Sequence, residues 1–198
     1  MRYKPVSTKS SVVIFGILLI ASVSVVRGGQ RDKAPGLESP GARDARQLER
    51  LKEEIRHQLV TLPYYTVFDW LQAEARPDGM VILSGQVVRP TLKDDAGKRV
   101  KKLESATQVI NNIEVLPLSQ SDDQLRMAIY RKIFSFDSPL FGYGTMAVPP
   151  IHIIVSNGHV VLKGIVANHS DSQLSYLAAR QVSNVFDVRN ELQIEDDD

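Results

Sequence analysis

Apolar and polar positions alternate along this chain in nearly the same way twice. In GMVILSGQVV, Gly79 to Val88, residues Val81, Leu83 and Val87 alternate with Ile82, Ser84 and Gln86. In GHVVLKGIVA, Gly158 to Ala167, residues Val160, Leu162 and Val166 hold the same places 79 positions later. A period of two is that of a strand with one buried face. Asp78-Gly79 and Asn157-Gly158 stand just before these stretches. Tight hairpin turns favour such pairs because their central residues take positive φ. Each stretch is therefore predicted to be the second strand of a hairpin. Gly85 and Gly164 fall inside the strands on the apolar face, where a glycine marks a bulge or the close approach of another backbone.

The flanking segments carry the longer helical period. A helix is expected from near Asp44, with Leu48, Leu51, Ile55, Leu59 and Leu62 on one face and Pro63 ending it. A first strand is expected from Val67 to Ala75, with Phe68 and Trp70 on one side and Leu71 and Ala73 on the other. The RPDG loop, residues 76–79, leaves its register open. Thr91 or Asp94 would cap a second helix bearing Leu92, Ala96, Val100, Leu103 and Ala106. A third strand covers Val109 to Leu116. The order then recurs. Ser121 to Gln124 resembles a capping box ahead of Leu125, Ile129 and Ile133. Strands follow at Ile151 to Val155 and Val160 to Val166. A helix capped by Ser170 would bury Leu174, Leu177, Ala178 and Val182, and Val188 to Ile194 closes the set. From the glycine turn onward the offset has no gap. Leu103 matches Val182, Val109 matches Val188, Asn111 matches Asn190 and Ile113 matches Leu192. Such an internal repeat predicts an α+β chain of two α-β-β-α-β units, residues 44–117 and 121–195.

The repeated pattern is Gly79, Val81, Leu83, Gly85, Val87, then Val109, Asn111, Ile113. The second copy reads Gly158, Val160, Leu162, Gly164, Val166, then Val188, Asn190, Leu192. It resembles the BON domain, a family named for bacterial osmotically inducible periplasmic and nodulation proteins. Ala106 departs from the usual valine after the second helix. The resemblance implies two helices on a three-stranded mixed sheet in each unit. It also implies a cell-envelope location, a role in phospholipid binding or membrane integrity, and no catalysis.

The N-terminus has a different character. Arg2, Lys4 and Lys9 precede an uncharged run from Ser11 to Val26. That is the layout of a secretory signal peptide over residues 1–28, or of a membrane anchor if uncleaved. Residues 29–43 read as a flexible Gly/Pro-containing tether and residues 196–198 as an acidic tail. Export predicts the periplasm as the location. There is no cysteine, so neither a disulfide framework nor a thiolate metal site is expected.

Charge changes the picture once it is divided. Residues 1–47 carry eight Lys/Arg against three Asp/Glu, residues 48–117 ten of each, and residues 118–195 six against seven. The basic excess belongs mostly to the leader, which argues against a nucleic-acid partner. The four histidines show no HxH or HxxxH spacing, and neither a metal nor another cofactor is expected. Asp94-Asp95 and Asp122-Asp123 stand at helix starts, where carboxylates complement the helix dipole. No catalytic constellation is found.

Two features suggest contact with a surface. Lys98, Arg99, Lys101 and Lys102 lie within five residues on the second helix and would flare outward toward anionic headgroups. The bland alternative is a solvated helix face. The segment Phe134 to Pro150 is long and carries Phe136, Leu140, Phe141, Tyr143 and Met146 among Gly and Pro. It would enter a bilayer interface, dock on a partner, cover the edge of a thin core, or bury the contact between the two units. The outer-face residues Ile82, Val161 and Ile165 would meet between the units or between two chains. An anionic phospholipid surface is thus one expected partner, and an envelope protein held by a scaffold module is the other.

Overall fold

The computed structural model describes residues 40–195, with side chains from residue 44 onward. The leader, most of the tether and the acidic tail lie outside the described residues. The first unit contains α1 (Pro40–Val60), β1 (Trp70–Ala75), β2 (Met80–Val87), α2 (Pro90–Val100), β3 (Gln108–Asn111) and β4 (Glu114–Val115). The second contains α3 (Gln120–Ile133), a single-turn α4 (Phe141–Gly144), β5 (Ile151–Ser156), β6 (His159–Val166), α5 (His169–Arg180) and β7 (Asp187–Ile194).

Each unit is a mixed sheet with helices on one face, so the chain is α+β as its repeat predicts. β2 is central, antiparallel to β1 and parallel to both β3 and β4. β6 is central in the same way between β5 and β7. The expected third strand of the first unit is broken after Asn111, whereas β7 runs unbroken. In both units the repeated asparagine ties sheet to helix. Asn111 Nδ2 donates to the Lys93 carbonyl at 2.9 Å, and its Oδ1 accepts from the Ile113 amide at 3.2 Å. Asn190 does the same with Ser172 Oγ, at 2.9 Å, and with the Leu192 amide, at 3.2 Å.

The interior glycines answer to a close backbone approach. Gly85 and Gly164 have φ of +120° and +121°. A Cβ at Gly85 would stand 2.0 Å from the Trp70 carbonyl oxygen, and one at Gly164 only 1.8 Å from that of Pro150. A side chain is excluded by both space and conformation. The hairpins differ in their loops. Ser156 pairs with His159 across a two-residue turn, while the Arg76 amide donates to the Met80 carbonyl across three residues. The register left open by the sequence is thereby set, with Leu71 opposite Gly85 and Ala73 opposite Leu83.

Several local expectations are corrected. β1 begins at Trp70 rather than Val67. Val67 turns away and is buried in the core of the second unit, with Phe68 packed beside it. The Ile153 amide donates to the Val67 carbonyl at 2.8 Å. α2 starts with Pro90 at its first position after Arg89, which makes no side-chain cap, so neither Thr91 nor Asp94 fills that role. Ser119, not Ser121, caps α3 by accepting from the Asp122 amide. Asn168, not Ser170, caps α5 by accepting from the Asp171 amide. The buried face of α5 also differs from the expected one. Ser172, Ser175 and Ala179 are buried, while Leu174 and Leu177 are 38% and 50% exposed. The helix rests on the sheet through small side chains and leaves its leucines outward.

The two units share a buried seam. Trp70, Leu116 and Ile154 are buried together, with Val88 and Val161 half-buried against them. Of the three outer-face residues expected to meet, Val161 belongs to this seam; Ile82 and Ile165 do not.

Candidate functional site

The basic cluster divides according to what each side chain touches. Lys98, Lys101 and Lys102 are exposed. Arg99 is half-buried and donates from Nη1 to the Thr61 carbonyl at 3.2 Å and to Thr61 Oγ1 at 3.1 Å. It fastens the end of α2 to the end of α1. Lys102 borders a cleft of about 660 Å³ that is also lined by Arg50, Arg76, Glu54, Asp78 and Glu104. Three bases there face three acids, whereas Lys98 and Lys101 are exposed and do not line that cleft.

The long segment also divides. Leu140 is 1% exposed and belongs to the second core. The Tyr143 hydroxyl donates to Asp171 Oδ2 at 2.8 Å and accepts from the Ala167 amide at 2.9 Å. Burial, with Asp171 beside it, raises the pKa of this phenol. These two residues hold the segment against the start of α5. Phe136, Phe141 and Met146 stay outside, at 88%, 38% and 47% exposure. The Phe136 and Phe141 rings meet edge to face, with centroids 5.3 Å apart. α4 thus serves as a short platform: inward anchors on one side, an aromatic pair on the other.

Other exposed apolar residues went unnoticed in the sequence pattern. Leu174 and Leu177 were expected inside because their spacing is helical. Phe186, 75% exposed, lies over Gly158 and meets the His159 ring at 5.7 Å. Met127 on α3 is 41% exposed. Among the described residues, every large exposed hydrophobic except Tyr64 follows residue 117, in the second unit or the connection leading to it. Tyr64 itself lies under the Arg89 guanidinium, 5.2 Å from ring centre to Cζ. Its neighbour Tyr65 packs against the first core.

Of the two acidic pairs, Asp122-Asp123 stands in the first turn of α3 as expected, whereas Asp94 and Asp95 lie in the second turn of α2, whose first turn holds no acid. Buried Asp122 accepts from the Asn157 amide at 2.8 Å and the Gly158 amide at 2.9 Å, so α3 clamps the β5–β6 turn. Arg126 is buried beside it and donates from Nη2 to the Val155 carbonyl at 2.6 Å. Among the described residues no group of three or more His, Asp or Glu is placed to hold a metal ion. None of the described helices is long and apolar enough to cross a membrane.

Two copies of one α+β unit, each with its glycine-pinned central strand and its asparagine tie, define a tandem module. The chain belongs to the BON domain family, which it matches over residues 48–117 and 142–196. That family is in general non-catalytic. No curated protein matches the chain. Among solved structures it is similar to the C-terminal domain of CdsD, described as the structural protein of the Type III secretion system of Chlamydia trachomatis. The identity is 13% over 74% of this chain and 98% of that one, with a TM-score of 0.28. A second structure of CdsD is similar at the same identity and TM-score, over 74% and 94% of the two chains.

Proposed function

We propose that this protein is an exported, non-enzymatic module of the periplasm that binds anionic phospholipid surfaces and supports envelope integrity. The observation that carries this reading is the exposed Phe136–Phe141 pair on the connection between α3 and β5, with Met146 exposed on the same connection. Large exposed apolar patches on soluble domains mark interaction or membrane sites. Phe136, Phe141 and Met146 enter the interface, held by Leu140 and Tyr143. Lys98 and Lys101 add electrostatic attraction, each worth about 1 kcal/mol near an anionic surface.

One observation favours a second reading, a scaffold that holds an envelope protein. β7 is an eight-residue edge strand, paired to β6 on one side and largely exposed. Such an edge can accept a strand from a partner.

Co-sedimentation with liposomes separates the two. Binding to anionic liposomes, weakened by salt, is the expected result, because the basic contribution is screened. Recovery in the supernatant with every liposome composition contradicts the lipid reading and leaves the β7 edge as the site to pursue.

A further inference from the structure

We propose that the cleft bordered by Phe186 in the second unit is a binding site for a neutral saccharide. This inference is independent of the lipid reading and starts from a cleft that the repeat supplies twice. In each unit it lies between the opening helix (α1 or α3), the hairpin turn and the loop leading into β3 or β7. In the first unit Gly79, Leu103, Ser105 and Thr107 border it beside the charged residues around Lys102. In the second it measures about 620 Å³, and Gly158, Val182, Asn184 and Phe186 stand at the same places 79 positions later.

The two linings differ in charge and in what their polar groups already do. Asp78 and Glu104 of the first give way to Asn157 and Ser183 in the second. Among the described residues the second lining has one charged member, Asp122. It is 1% exposed, and its carboxylate oxygens accept from the Asn157 and Gly158 amides, so it is spent on the turn. In the first cleft Ser105 Oγ donates to Glu54 at 2.6 Å, and Thr107 Oγ1 donates to the Asp78 carbonyl at 2.9 Å. In the second, Ser121, Gln124, Ser183 and Asn184 are exposed, and their side chains bond to no described residue. Hydroxyl and amide groups both donate and accept, as the hydroxyls of a sugar do.

Phe186 adds a flat apolar surface where the first unit has Thr107. It is 75% exposed and borders the cleft with its ring over Gly158. A Cβ at Gly158 would stand 2.8 Å from that ring, so the glycine makes room for it. The negative face of an aromatic ring attracts polarised C–H groups, and a pyranose presents a row of these on one face. The cleft volume lies within the range of small-ligand sites. An aromatic surface, unspent neutral donors and acceptors, and no accessible charge together fit a saccharide and disfavour an ion.

The full chain, isotopically labelled, is titrated with chitobiose and with cellobiose while its backbone amide resonances are followed. The expected result is saturable shifts at Gly158, Ser183, Asn184 and Phe186 with one or both disaccharides, while Gly79, Glu104 and Thr107 of the first cleft stay still. A preference for chitobiose assigns an acetamido group to the side-chain amides; equal affinities assign recognition to the sugar hydroxyls alone. Phe186→Thr, which installs the first unit's residue, should weaken binding by roughly fivefold or more, whereas Phe186→Tyr should retain it. Gln124→Ala, on the exposed side of α3, should weaken it several-fold and tests the idea even if Phe186→Thr disturbs the turn. No saturable shift with either disaccharide, equal shifts in the two clefts, or unchanged affinity in both Phe186→Thr and Gln124→Ala would each overturn the proposal.

Discussion

His152, on the edge strand of the second unit, places its Nδ1 2.6 Å from the carbonyl oxygen of Asp69, just before the first strand of the first unit. A carbonyl only accepts, so Nδ1 carries the proton. The ring lies between Tyr65, at 5.7 Å, and Trp70, at 5.1 Å. The two units are therefore joined by a buried polar contact as well as by the Trp70–Leu116–Ile154 seam.

This contact predicts acid sensitivity. Burial pushes His152 down from 6.5 to about 4, partly offset by the carbonyls of Asp69 and Thr66. Between those values the unfolded chain holds the extra proton, so stability falls as pH drops from 6.5 toward 4 and levels off below. The expected loss is about 3 kcal/mol. Asp69 works in the opposite sense. Burial raises its carboxyl above 3.8 against hydrogen bonds from Val88 and Thr66 and the charge of Arg89. The folded state therefore holds the extra proton just above 3.8, and this contribution favours folding as pH falls through that range. Melting temperatures measured from pH 7 to 4 should drop in the wild type. They should drop much less in His152→Gln, whose amide can still reach the Asp69 carbonyl.

The units should unfold together. Val67, 6% exposed, sits in the second core although its chain neighbours belong to the first unit. Trp70 emission and far-ultraviolet circular dichroism should give coincident denaturation midpoints. Val67→Ala should lower both by the same amount, costing about 1–2 kcal/mol. Separate transitions would contradict a shared core.

Glycine replacements should divide sharply. Gly85→Ala and Gly164→Ala drive a methyl group into a carbonyl oxygen at positive φ. Each should cost more than about 3 kcal/mol. Gly142→Ala in α4 meets nothing within 4 Å and should change stability little. Urea denaturation of the three variants makes the comparison.

Asp122→Ala should be more costly than an ordinary loss of helix-terminal charge. It leaves the Asn157 and Gly158 amides without their acceptor, and Gly158 is buried. The expected loss is about 2–3 kcal/mol. Hydrogen exchange at the β5–β6 turn should quicken in the same variant.

The parts of this structure legible in the sequence are those with a short period or an enforced identity. Val81, Leu83 and Val87 report a half-buried strand by alternation alone, and Gly85 and Asn111 stand where no other residue makes the same approach or tie. Helix caps were less legible, because Ser119 and Ser121, or Asn168 and Ser170, offer rival oxygens two residues apart. The α5 face was misread for a related reason. Periodicity favours Leu174 and Leu177, yet Ser172 is chosen by its bond to Asn190, 18 positions away. Distance also hid the division of the basic cluster, since Arg99 finds its partner at Thr61, 38 positions earlier. The inward role of Leu140 and Tyr143 depends on contacts with the second core and with Asp171, which the segment itself does not announce.

The central claim is the membrane contact, and one set of sedimentation measurements tests it most directly. The wild type, Phe136→Ser/Phe141→Ser and Lys98→Glu/Lys101→Glu are each mixed with anionic and with neutral liposomes at low and high salt. The account predicts that the wild type pellets with anionic liposomes. The aromatic variant should lose most binding at both salts, and the charge-reversed variant should lose mainly the salt-sensitive part. Both substituted pairs are exposed, so the fold should persist, with melting temperatures near that of the wild type. Equal pelleting of all three proteins, or none with any liposome, would contradict the account.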